Sequence, residues 1–378
     1  MKVRGCNGFK INDNLMVLIT VPARSVQGGV TAYFQSMQGK IPMRPMYFEV
    51  GRVSGDEGML ALIQRLIKTN LDFLNALRSE RPDVVHINPS LASKSLFRDG
   101  LLLLIATFFG QPVVVFFHGW NPATETSIKN SSLYAFLFKK VFWRADAIIV
   151  LARSFKASTL FSGYDGEIFV ETTVVDDSLM RSGGEFEVYS CTRDQNHLLF
   201  MARIEREKGI HIAIDAFKIA QEKRPDLRLT VAGAGSDLES AKQQVSRLGI
   251  SGVEFVGYVS GDEKNTVLES AAIMLLPSFH GEGMPQSVLE AMAFRIPVIT
   301  RPVGGLNDFF ENGKMGLLIE STEPGDFAEG ILALCDDIEL RQAIGEYSHA
   351  YAKTHFATGA AANRIANIYK SVHAAAHE

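Results

Sequence analysis

The chain has 378 residues, of which 47% are hydrophobic, and a formal net charge of -4 at pH 7. This length is too great for one ordinary hydrophobic core and predicts two domains, since a domain averages about 150 residues. Because the overall charge is slightly negative, a nucleic-acid-binding surface spread over the molecule is excluded. An anionic ligand must therefore be met by a local group of cations.

Cysteine usage and apolar runs indicate the compartment. Cys6, Cys191 and Cys335 are far apart and form neither a metal-binding spacing nor a disulfide framework, which favours a reducing cytosol. The first residues lack the apolar core of a signal peptide. The longest strongly apolar run, 101–110, is shorter than the roughly 20 residues that span a bilayer. We expect a cytoplasmic protein, free or at the inner face of the cell membrane.

Short apolar runs rich in β-branched residues alternate with helix-length segments along the first half of the chain. Helices are predicted over 58–79 and 93–109. The predicted strands are 15–21, 44–50, 83–88, 112–118 and 147–152. Continuous apolar strands of this kind are typical of a parallel sheet covered on both faces.

The alternation weakens at 177–196, a polar and glycine-containing stretch that predicts a linker, and then restarts. Helices again fill the gaps and close the chain after residue 324. The predicted strands of the second half are 197–204, 227–233, 253–259, 272–278, 297–302 and 316–320. We predict an α/β fold of two Rossmann-like domains whose parallel sheets face each other across a cleft. Ligands are then expected beyond the carboxyl ends of the strands.

The first candidate site follows the strand 197–204. Arg203 and Lys208 come at its end, and Gly209 begins the next predicted helix. A guanidinium can hold phosphate oxygens with two hydrogen bonds, and an ammonium adds a point charge. The pattern predicts an anion site. The alternative is a solvated turn, because three further charged residues lie between the two cations.

The second candidate site is the start of a helix that is predicted to begin at Met284-Pro285. Proline is tolerated in a first turn because its missing N–H would have no partner there. The free amides of Met284, Gln286 and Ser287 would then lie at the positive end of the helix dipole. This arrangement suits a diphosphate.

Two glutamates separated by seven residues flank that helix start. Glu282 lies just outside it and would repel a phosphate, so it is expected to face neutral hydroxyls. Glu290 falls on the same side of the helix as 285–286 and can accept hydrogen bonds from vicinal ribose hydroxyls. The alternative is a surface glutamate followed by a helix glutamate paired with a neighbouring cation.

Two further positions follow strands of the first half. Gly28 and Gly29 come after the first predicted strand, where adjacent glycines let a backbone approach a ligand closely. His118 ends a very apolar strand, where ligand contact and burial in the core are both open. The alternative, a buried and hydrogen-bonded imidazole, is the favoured interpretation for His86, one strand earlier.

The turn AGAGSDL imitates a dinucleotide fingerprint. Gly233 and Gly235 follow a strand, and Glu254 comes about twenty residues later, but Leu238 occupies the third glycine position. NAD binding is not predicted, and a Rossmann oxidoreductase is the weakest of the functions considered.

Taken in order, these segments resemble the retaining GT-B-fold glycosyltransferases of the large GT4, or group 1, family. The resemblance covers nearly the whole chain. In the first half it rests on Gly28-Gly29, His118-Gly119 and 145–154. In the second half it rests on Arg203, Lys208-Gly209, 232–237, 254–260, the Glu282/Glu290 pair and 302–308. Ala202 and Arg295 stand where the family usually has glycine.

The resemblance implies a role for each candidate residue. Arg203 and Lys208 would neutralise the donor diphosphate as it leaves, Glu282 would contact the donor sugar, and His118 would lie near its reacting face; these four are the expected catalytic residues. Donor binding would use the loop around Tyr258 to hold the base, Glu290 to hold the ribose, and Gly28, Gly29, Gly233, Gly283, Met284, Pro285, Gln286 and Ser287 around the phosphates.

The implied function is the retaining transfer of a sugar from a nucleoside-diphosphate-sugar to a glycan or lipid-linked acceptor, in bacterial polysaccharide or glycolipid synthesis. Neither a metal nor another cofactor is expected. The family pattern assigns 1–180 to an acceptor-binding domain, 181–355 to a donor-binding domain, and 356–378 to a helix that crosses back. A non-catalytic nucleotide-sugar-binding protein and a GT-B nucleotide-sugar 2-epimerase stay open as alternatives.

The segment 128–145 is basic, aromatic and free of acids. On a helical wheel one face carries Tyr134 and Phe138, and a roughly opposite face, flanked by lysines, carries Phe136 and Trp143. A second apolar face predicts contact with a membrane interface or a lipid-linked acceptor, unless it packs against a neighbouring helix.

Overall fold

The computed structural model describes residues 14–23, 29–51, 58–180, 194–279 and 283–378. These residues fall into two compact units. Unit 1 takes its described residues from Met1–Val150, Ser158–Phe169 and Ala362–Glu378, and unit 2 from Leu151–Ala157 and Val170–Ala361. Most of the predicted linker, 181–193, lies outside the described residues.

Unit 1 is built on a six-stranded sheet with the order β2-β1-β3-β5-β7-β8. Its strands are β1 Met16–Pro22, β2 Arg44–Val50, β3 Val84–Ile87, β5 Val113–Phe117, β7 Ala147–Val150 and β8 Glu167–Val170. The pairs β1/β2, β1/β3, β3/β5 and β5/β7 are parallel. The strands β3, β5 and β7 are buried along their whole length, as their continuous apolar sequences predict.

Three strands of this unit were not predicted. The strands β4 Ser90–Leu91 and β6 Gly119–Trp120 form a separate parallel pair just after β3 and β5. They are too short to show a hydrophobic period. The strand β8 has exposed and partly buried residues at the edge of the sheet, so it lacks the apolar run that marks the central strands.

The helices of unit 1 include α1 Gly29–Met37, α2 Met59–Glu80, α3 Ser93–Phe108, α4 Pro122–Asn130 and α5 Ser132–Phe142. The helix α3 packs against both α2 and α5, so these three form one layer. Each of these helices connects one strand to another that lies further along the sheet in the same direction. Right-handed connections then place all three helices on the same face of the sheet.

The basic segment 128–145 is divided between two helices, α4 and α5. Ser131 ends α4 and begins α5, and its side chain accepts a hydrogen bond from the Tyr134 amide at 3.3 Å. Phe138 is buried and Phe136 is exposed, as the wheel predicts. Trp143, which the wheel places on the same face as Phe136, is partly buried, because its indole N–H donates to the Leu160 carbonyl at 3.1 Å.

Unit 2 has a second six-stranded sheet, and every neighbouring pair in it is parallel. The strands are β9 His197–Met201, β10 Arg228–Ala232, β11 Val253–Gly257, β12 Ile273–Leu276, β13 Val298–Thr300 and β14 Gly316–Leu318. Their order is β11-β10-β9-β12-β13-β14. The chain therefore reverses its direction of winding between β9 and β12. A reversal of this kind opens a crevice at the carboxyl ends of the two strands.

The helices of unit 2 lie between and after these strands, except for the short α6, which precedes them in the chain. They are α6 Arg153–Lys156, α7 Ile210–Lys223, α8 Leu238–Leu248, α9 Gly261–Ser270, α10 Gln286–Ala293, α11 Pro324–Asp336 and α12 Ile338–His355. The last helix, α13 Thr358–Ala375, begins in unit 2 and continues in unit 1 from Ala362. Within the part of the chain that the structure describes, no helix is both long and apolar enough to cross a membrane.

The predicted α/β organisation with two parallel sheets is confirmed. The eleven predicted strands all occur, although most end earlier than predicted. For example, β9 ends at Met201 rather than at residue 204, because 202–206 turns away and packs on the loop after β10. The sequence pattern does not mark these ends, because the apolar residues continue into the packed loops.

Candidate functional site

The loop after β9 is joined to the loop after β12, at the point where the sheet of unit 2 reverses. The Glu207 carbonyl accepts hydrogen bonds from the Phe279 amide at 2.9 Å and from the Ser278 hydroxyl at 3.2 Å. Gly209 has φ of +80°, and a Cβ there would lie 2.2 Å from the Pro277 carbonyl oxygen. Glycine is required at this position by both its conformation and this close approach.

The two predicted cations lie on this loop. Arg203 is exposed, and its guanidinium contacts the Glu205 carboxylate at 2.5 Å. Lys208 is partly buried at the end of the single helical turn Arg206–Lys208. An exposed ion pair contributes at most about 1 kcal/mol, so an incoming phosphate can replace Glu205 at Arg203 with little loss.

The glycine turn after β10 supports the same loop. A Cβ on Gly233 would lie 1.9 Å from the Ala202 carbonyl oxygen, and one on Gly235 would lie 2.2 Å from that of Ile204. Asp237 accepts a hydrogen bond from the Arg206 amide at 2.8 Å. Packing of backbone against backbone explains these glycines, including Gly233, without reference to a ligand.

The helix α10 begins two residues later than predicted. Its first residue is Gln286, Pro285 is the preceding cap residue, and the Val288 amide donates to the Pro285 carbonyl at 3.0 Å. The Met284 amide therefore lies outside the first turn, whereas those of Gln286 and Ser287 belong to it. No side chain of the described residues caps this end of the helix. Its backbone amides are the groups that suit an anion.

The segment before α10 is held by the turn Gly304–Asp308. The Gly305 amide donates to the Gly283 carbonyl at 2.8 Å, and a Cβ on Gly305 would lie 2.6 Å from the Met284 methyl group. Asp308 in turn accepts a hydrogen bond from the Arg153 amide at 2.6 Å. These contacts position Gly283 and Met284. Glu282 lies outside the described residues.

Glu290 is buried and paired with a cation that the sequence analysis missed. Its carboxylate contacts the Lys264 ammonium at 2.7 Å and the Gln286 side-chain amide at 3.4 Å. Burial raises the pKa of the carboxyl, and Lys264 opposes that rise. The ion-paired alternative for this glutamate is therefore correct in part, since the pair is buried rather than superficial. Lys264 lies in the first turn of α9, directly after the 254–260 segment, and this adjacency was its only sequence signal.

Tyr258 and Gly29 are exposed in the structure. Tyr258 follows β11, the edge strand, two strands away from β9, and is 52% exposed. Gly29 begins α1 in unit 1, and a Cβ there would meet no atom of the described residues within 4 Å. Gly28 lies outside the described residues. Packing within the described residues therefore does not account for glycine at position 29.

His118 follows β5 in unit 1 and belongs to a hydrogen-bonded chain that also was not predicted. Its Nε2 lies 3.0 Å from Asn88 Oδ1, and the Asn88 amide nitrogen donates to the Thr20 carbonyl at 2.6 Å. The carbonyl can only accept, so the Asn88 amide orientation is fixed and Oδ1 faces the ring. The proton of His118 is therefore on Nε2, and Nδ1 is the acceptor.

Aromatic rings surround the same imidazole. It stacks on Phe116 with ring centroids 3.8 Å apart and meets Tyr33 edge-on at 5.0 Å. Burial lowers the pKa of His118 well below 6.5, so the ring is neutral at physiological pH. His86 is a buried core residue, as favoured, with its pKa lowered to about 3 by burial and its Nδ1 2.5 Å from the Tyr369 hydroxyl.

Two family models match the chain and together span most of it. The model for glycosyl transferases group 1 matches 185–351, and that for the glycosyl transferase 4-like domain matches 19–169. An uncharacterized glycosyltransferase of Methanocaldococcus jannaschii is 27% identical over 74% of this chain and 73% of its own length. The glycogen synthase of Mycobacterium tuberculosis is 25% identical over 82% of this chain and 74% of its own length.

Solved structures share the fold. HepE of Anabaena in complex with UDP-glucose has a TM-score of 0.74 at 18% identity and covers 95% of this chain and 100% of its own. Sucrose-phosphate synthase from Thermosynechococcus elongatus has a TM-score of 0.73 at 19% identity and covers 96% and 100%. Both are GT-B glycosyltransferases. With the two family models, these likenesses establish that the chain is a GT-B-fold glycosyltransferase and belongs to the GT4-like group 1 family.

Proposed function

We propose that this glycosyltransferase takes its sugar from a nucleoside-diphosphate-sugar and transfers it with retention to a glycan or lipid-linked acceptor. The single observation that carries the proposal is the joining of the Arg203–Lys208 loop to the segment that leads into α10. The loop that carries both cations therefore lies against the loop after β12, which precedes α10 in the chain, and this supports a shared anion site at the crevice of the unit 2 sheet. The neighbour HepE, which has a structure with UDP-glucose, supports a donor of this class.

The charges of this crevice suit a departing diphosphate. Arg203 and Lys208 would neutralise the negative charge that develops as the bond from the anomeric carbon to the phosphate oxygen breaks. The first-turn amides of Gln286 and Ser287 would share that charge. Because these groups belong to the chain itself, we propose that transfer needs no bound metal.

Retention follows if the acceptor hydroxyl attacks from the face that the diphosphate leaves. The bond from the acceptor oxygen to the anomeric carbon forms, the bond to the phosphate oxygen breaks, and the hydroxyl proton passes to that phosphate oxygen. No second carboxylate is then needed, in contrast to retaining glycosidases. Analysis of the product anomer by NMR tests this step, and an inverted product would disprove it.

Glu290 and His118 are proposed to contact the neutral parts of the donor. Glu290 would accept hydrogen bonds from ribose hydroxyls while keeping Lys264 as its counter-ion. Neutral His118 would offer Nδ1 as an acceptor to a sugar hydroxyl. Glu282, Tyr258, Gly28, Gly29 and Gly233 keep their proposed roles at the donor.

The membrane is the proposed source of the acceptor. The exposed Phe136 in the basic segment 128–145 supports peripheral contact with it. A role in bacterial polysaccharide or glycolipid synthesis, at the inner face of the cell membrane, agrees with such an acceptor and is part of the proposal.

A thermal-shift comparison of UDP, GDP, ADP and NAD, each with and without Mg²⁺, tests the donor site. A ligand at 100 times its dissociation constant adds about 2.7 kcal/mol to stability, which a melting curve resolves. We expect one nucleoside diphosphate to raise the Tm without Mg²⁺. A shift with NAD alone, or with none of them, would contradict the proposal. Formation of an epimerised free sugar nucleotide would favour the epimerase alternative. Tight binding of the donor without any turnover would favour the non-catalytic binding protein.

A further inference from the structure

Unit 1 exposes apolar side chains that the described residues do not cover. They lie on three helices and form what we call the apolar face: Ile63, Ile67 and Leu71 of α2, Phe97 of α3, and Phe136 and Leu137 of α5. Each is at least 46% exposed, and Phe97 reaches 63%. Single exposed apolar residues are ordinary, but a contiguous group indicates an interaction surface.

The apolar face is contiguous because its three helices pack side by side. A groove of about 380 Å³ runs between α2 and α3, lined by Ile63, Ile67, Leu71, Phe97 and Leu101. The start of α5 lies beside the start of α3, where the Tyr134 hydroxyl donates to the Ser93 hydroxyl at 3.4 Å. The three helices therefore present one surface rather than three separate patches.

The apolar face adjoins the carboxyl edge of the unit 1 sheet. In a parallel α/β layer each helix begins near the edge at which the preceding strand ends. Most of the apolar residues lie in the first halves of α2, α3 and α5, while Leu71 falls just past the middle of α2, and His118 follows β5 at the same edge. A molecule bound to the apolar face would therefore bring its polar part toward the edge of unit 1 that carries His118.

The segments that carry the apolar face are basic. The segments 59–71, 93–98 and 129–144 together contain eight lysines and arginines and no aspartate or glutamate. The whole chain, by contrast, has 42 acidic and 38 basic residues, so the local excess is not a property of its composition. At least two of these cations have acidic partners outside the segments, since Arg98 contacts Asp99 and Lys129 contacts Glu125.

We propose that the apolar face docks on an anionic lipid bilayer, with its apolar side chains in the interface and its lysines and arginines among the headgroups. The docking surface thus includes α2 and α3 besides the segment 128–145, and its use in reaching a lipid-linked acceptor rests on the proposed function. A second copy of the chain fits less well. In a two-fold contact the same cations would meet one another across the interface.

Co-sedimentation of the full chain with vesicles tests the proposal. The vesicles are phosphatidylcholine alone or mixed with phosphatidylglycerol, at low and at high salt. The variant Ile63→Asp/Ile67→Asp removes the apolar contact, and Lys139→Glu/Lys140→Glu reverses part of the charge. The matched control is Ile219→Asp/Ile338→Asp, which makes the same change at isoleucines of unit 2 that are 38% and 50% exposed.

We expect binding to the anionic vesicles only, and less of it at high salt. Each cation at an anionic surface is worth about 1 kcal/mol, or roughly fivefold, so the charge variant should bind at least about 25-fold more weakly. The aspartate pair in α2 should abolish binding, whereas the control should bind as the wild type does. Absence of binding, equal binding to both vesicle types, or an equal loss in the control would overturn the proposal.

Light scattering on the same proteins identifies a second copy as the occupant. If the wild type is a dimer and Ile63→Asp/Ile67→Asp is a monomer, the face joins two chains and the proposal fails. The Tm with the nucleoside diphosphate separates this proposal from the proposed function. A Tm shift with the nucleoside diphosphate but no vesicle binding would disprove docking on lipid and leave the proposed function standing. Vesicle binding without a Tm shift would support docking on lipid and contradict the proposed function.

Discussion

The carboxyl edges of the two sheets differ in charge. In unit 2 the edge carries Arg203, Lys208 and the buried pair of Glu290 with Lys264. In unit 1 it carries neutral His118, bound to Asn88 and stacked on an aromatic ring. This difference agrees with the proposed function, in which unit 2 balances the charge of the donor diphosphate and unit 1 offers directional hydrogen bonds from an uncharged ring.

The two edges also reach their geometry by different means. The charged edge depends on backbone packing, since Gly209 and Gly233 let loops approach to distances that any Cβ would prevent. The neutral edge depends on side-chain hydrogen bonds, in which Thr20 fixes Asn88 and Asn88 fixes His118. Substitutions at the charged edge should therefore act through the backbone, whereas those at the neutral edge should act through side-chain hydrogen bonds.

The largest effect is expected from Lys208→Ala. Loss of one group that stabilises charge in the transition state typically lowers turnover by about 10² to 10³-fold. Steady-state kinetics with the donor identified by thermal shift would measure it. The control is Lys218→Ala, which removes an exposed lysine of α7 that pairs with Glu222 at 3.4 Å. Near-normal turnover of the Lys208 variant would place the leaving group elsewhere.

Lys264→Met should destabilise unit 2 by about 3 kcal/mol, because it leaves the buried Glu290 carboxylate without its cation. The pKa of Glu290 is already raised by burial, and without Lys264 it should rise further. A raised folded-state pKa gives stability that is present below the unfolded pKa, near 4.5, and is lost as pH rises through the folded pKa.

Thermal melts between acid and neutral pH check this prediction. The loss of Tm in Lys264→Met should be smaller at low pH, where Glu290 is protonated, than at neutral pH. The double variant Lys264→Met/Glu290→Gln should recover most of the stability, since it removes the unpaired charge. An equal loss at every pH, unrepaired in the double variant, would show that lost packing rather than charge is responsible.

Asn88→Asp should add an acidic limb to the pH–rate profile. The pKa of wild-type His118 is well below 6.5, so the ring stays neutral and its titration does not affect turnover at physiological pH. A carboxylate at Nε2 favours the charged imidazolium and typically raises the pKa by about 1 to 3 units. Activity should then fall as pH decreases toward the new pKa, because protonation removes the Nδ1 acceptor.

The pH dependence of kcat/KM for the wild type, Asn88→Asp and Asn88→Ala would be compared. The alanine variant loses the hydrogen bond without adding a charge, so its profile should be lower but not shifted. A profile of Asn88→Asp parallel to that of the wild type would mean that His118 does not contact the donor through Nδ1.

The smallest effect concerns Arg295, which stands where the family usually has glycine. It keeps the left-handed turn with φ of +57°, and its guanidinium contacts Glu346 at 2.8 Å. The left-handed conformation costs a non-glycine residue about 1 to 2 kcal/mol, while an ion pair with the exposed Glu346 returns about 1 kcal/mol. Arg295→Gly should therefore raise the Tm slightly.

Arg295→Ala is the matched control for that turn, because it loses the ion pair and keeps the strain. Its Tm should fall slightly below that of the wild type. If glycine and alanine gave the same Tm, the turn would not be strained, and the departure from the family pattern would have no energetic effect.

The sequence by itself determined the alternation of strands and helices, the two parallel sheets and the loops that carry Arg203 and Lys208. These features are local, because a continuous apolar run is sufficient to specify a central strand, and a glycine permits the tight turn that follows it.

Only the tertiary structure decided which side chains become partners. Lys264 reaches Glu290 across 26 residues, and Asn88 joins Thr20 to His118 across 68 and 30 residues. It also decided that Ser131 separates α4 from α5 and that α2 leaves Ile63 and Ile67 exposed. Burial and pairing arise from packing between distant segments, and periodicity within one segment does not contain that information.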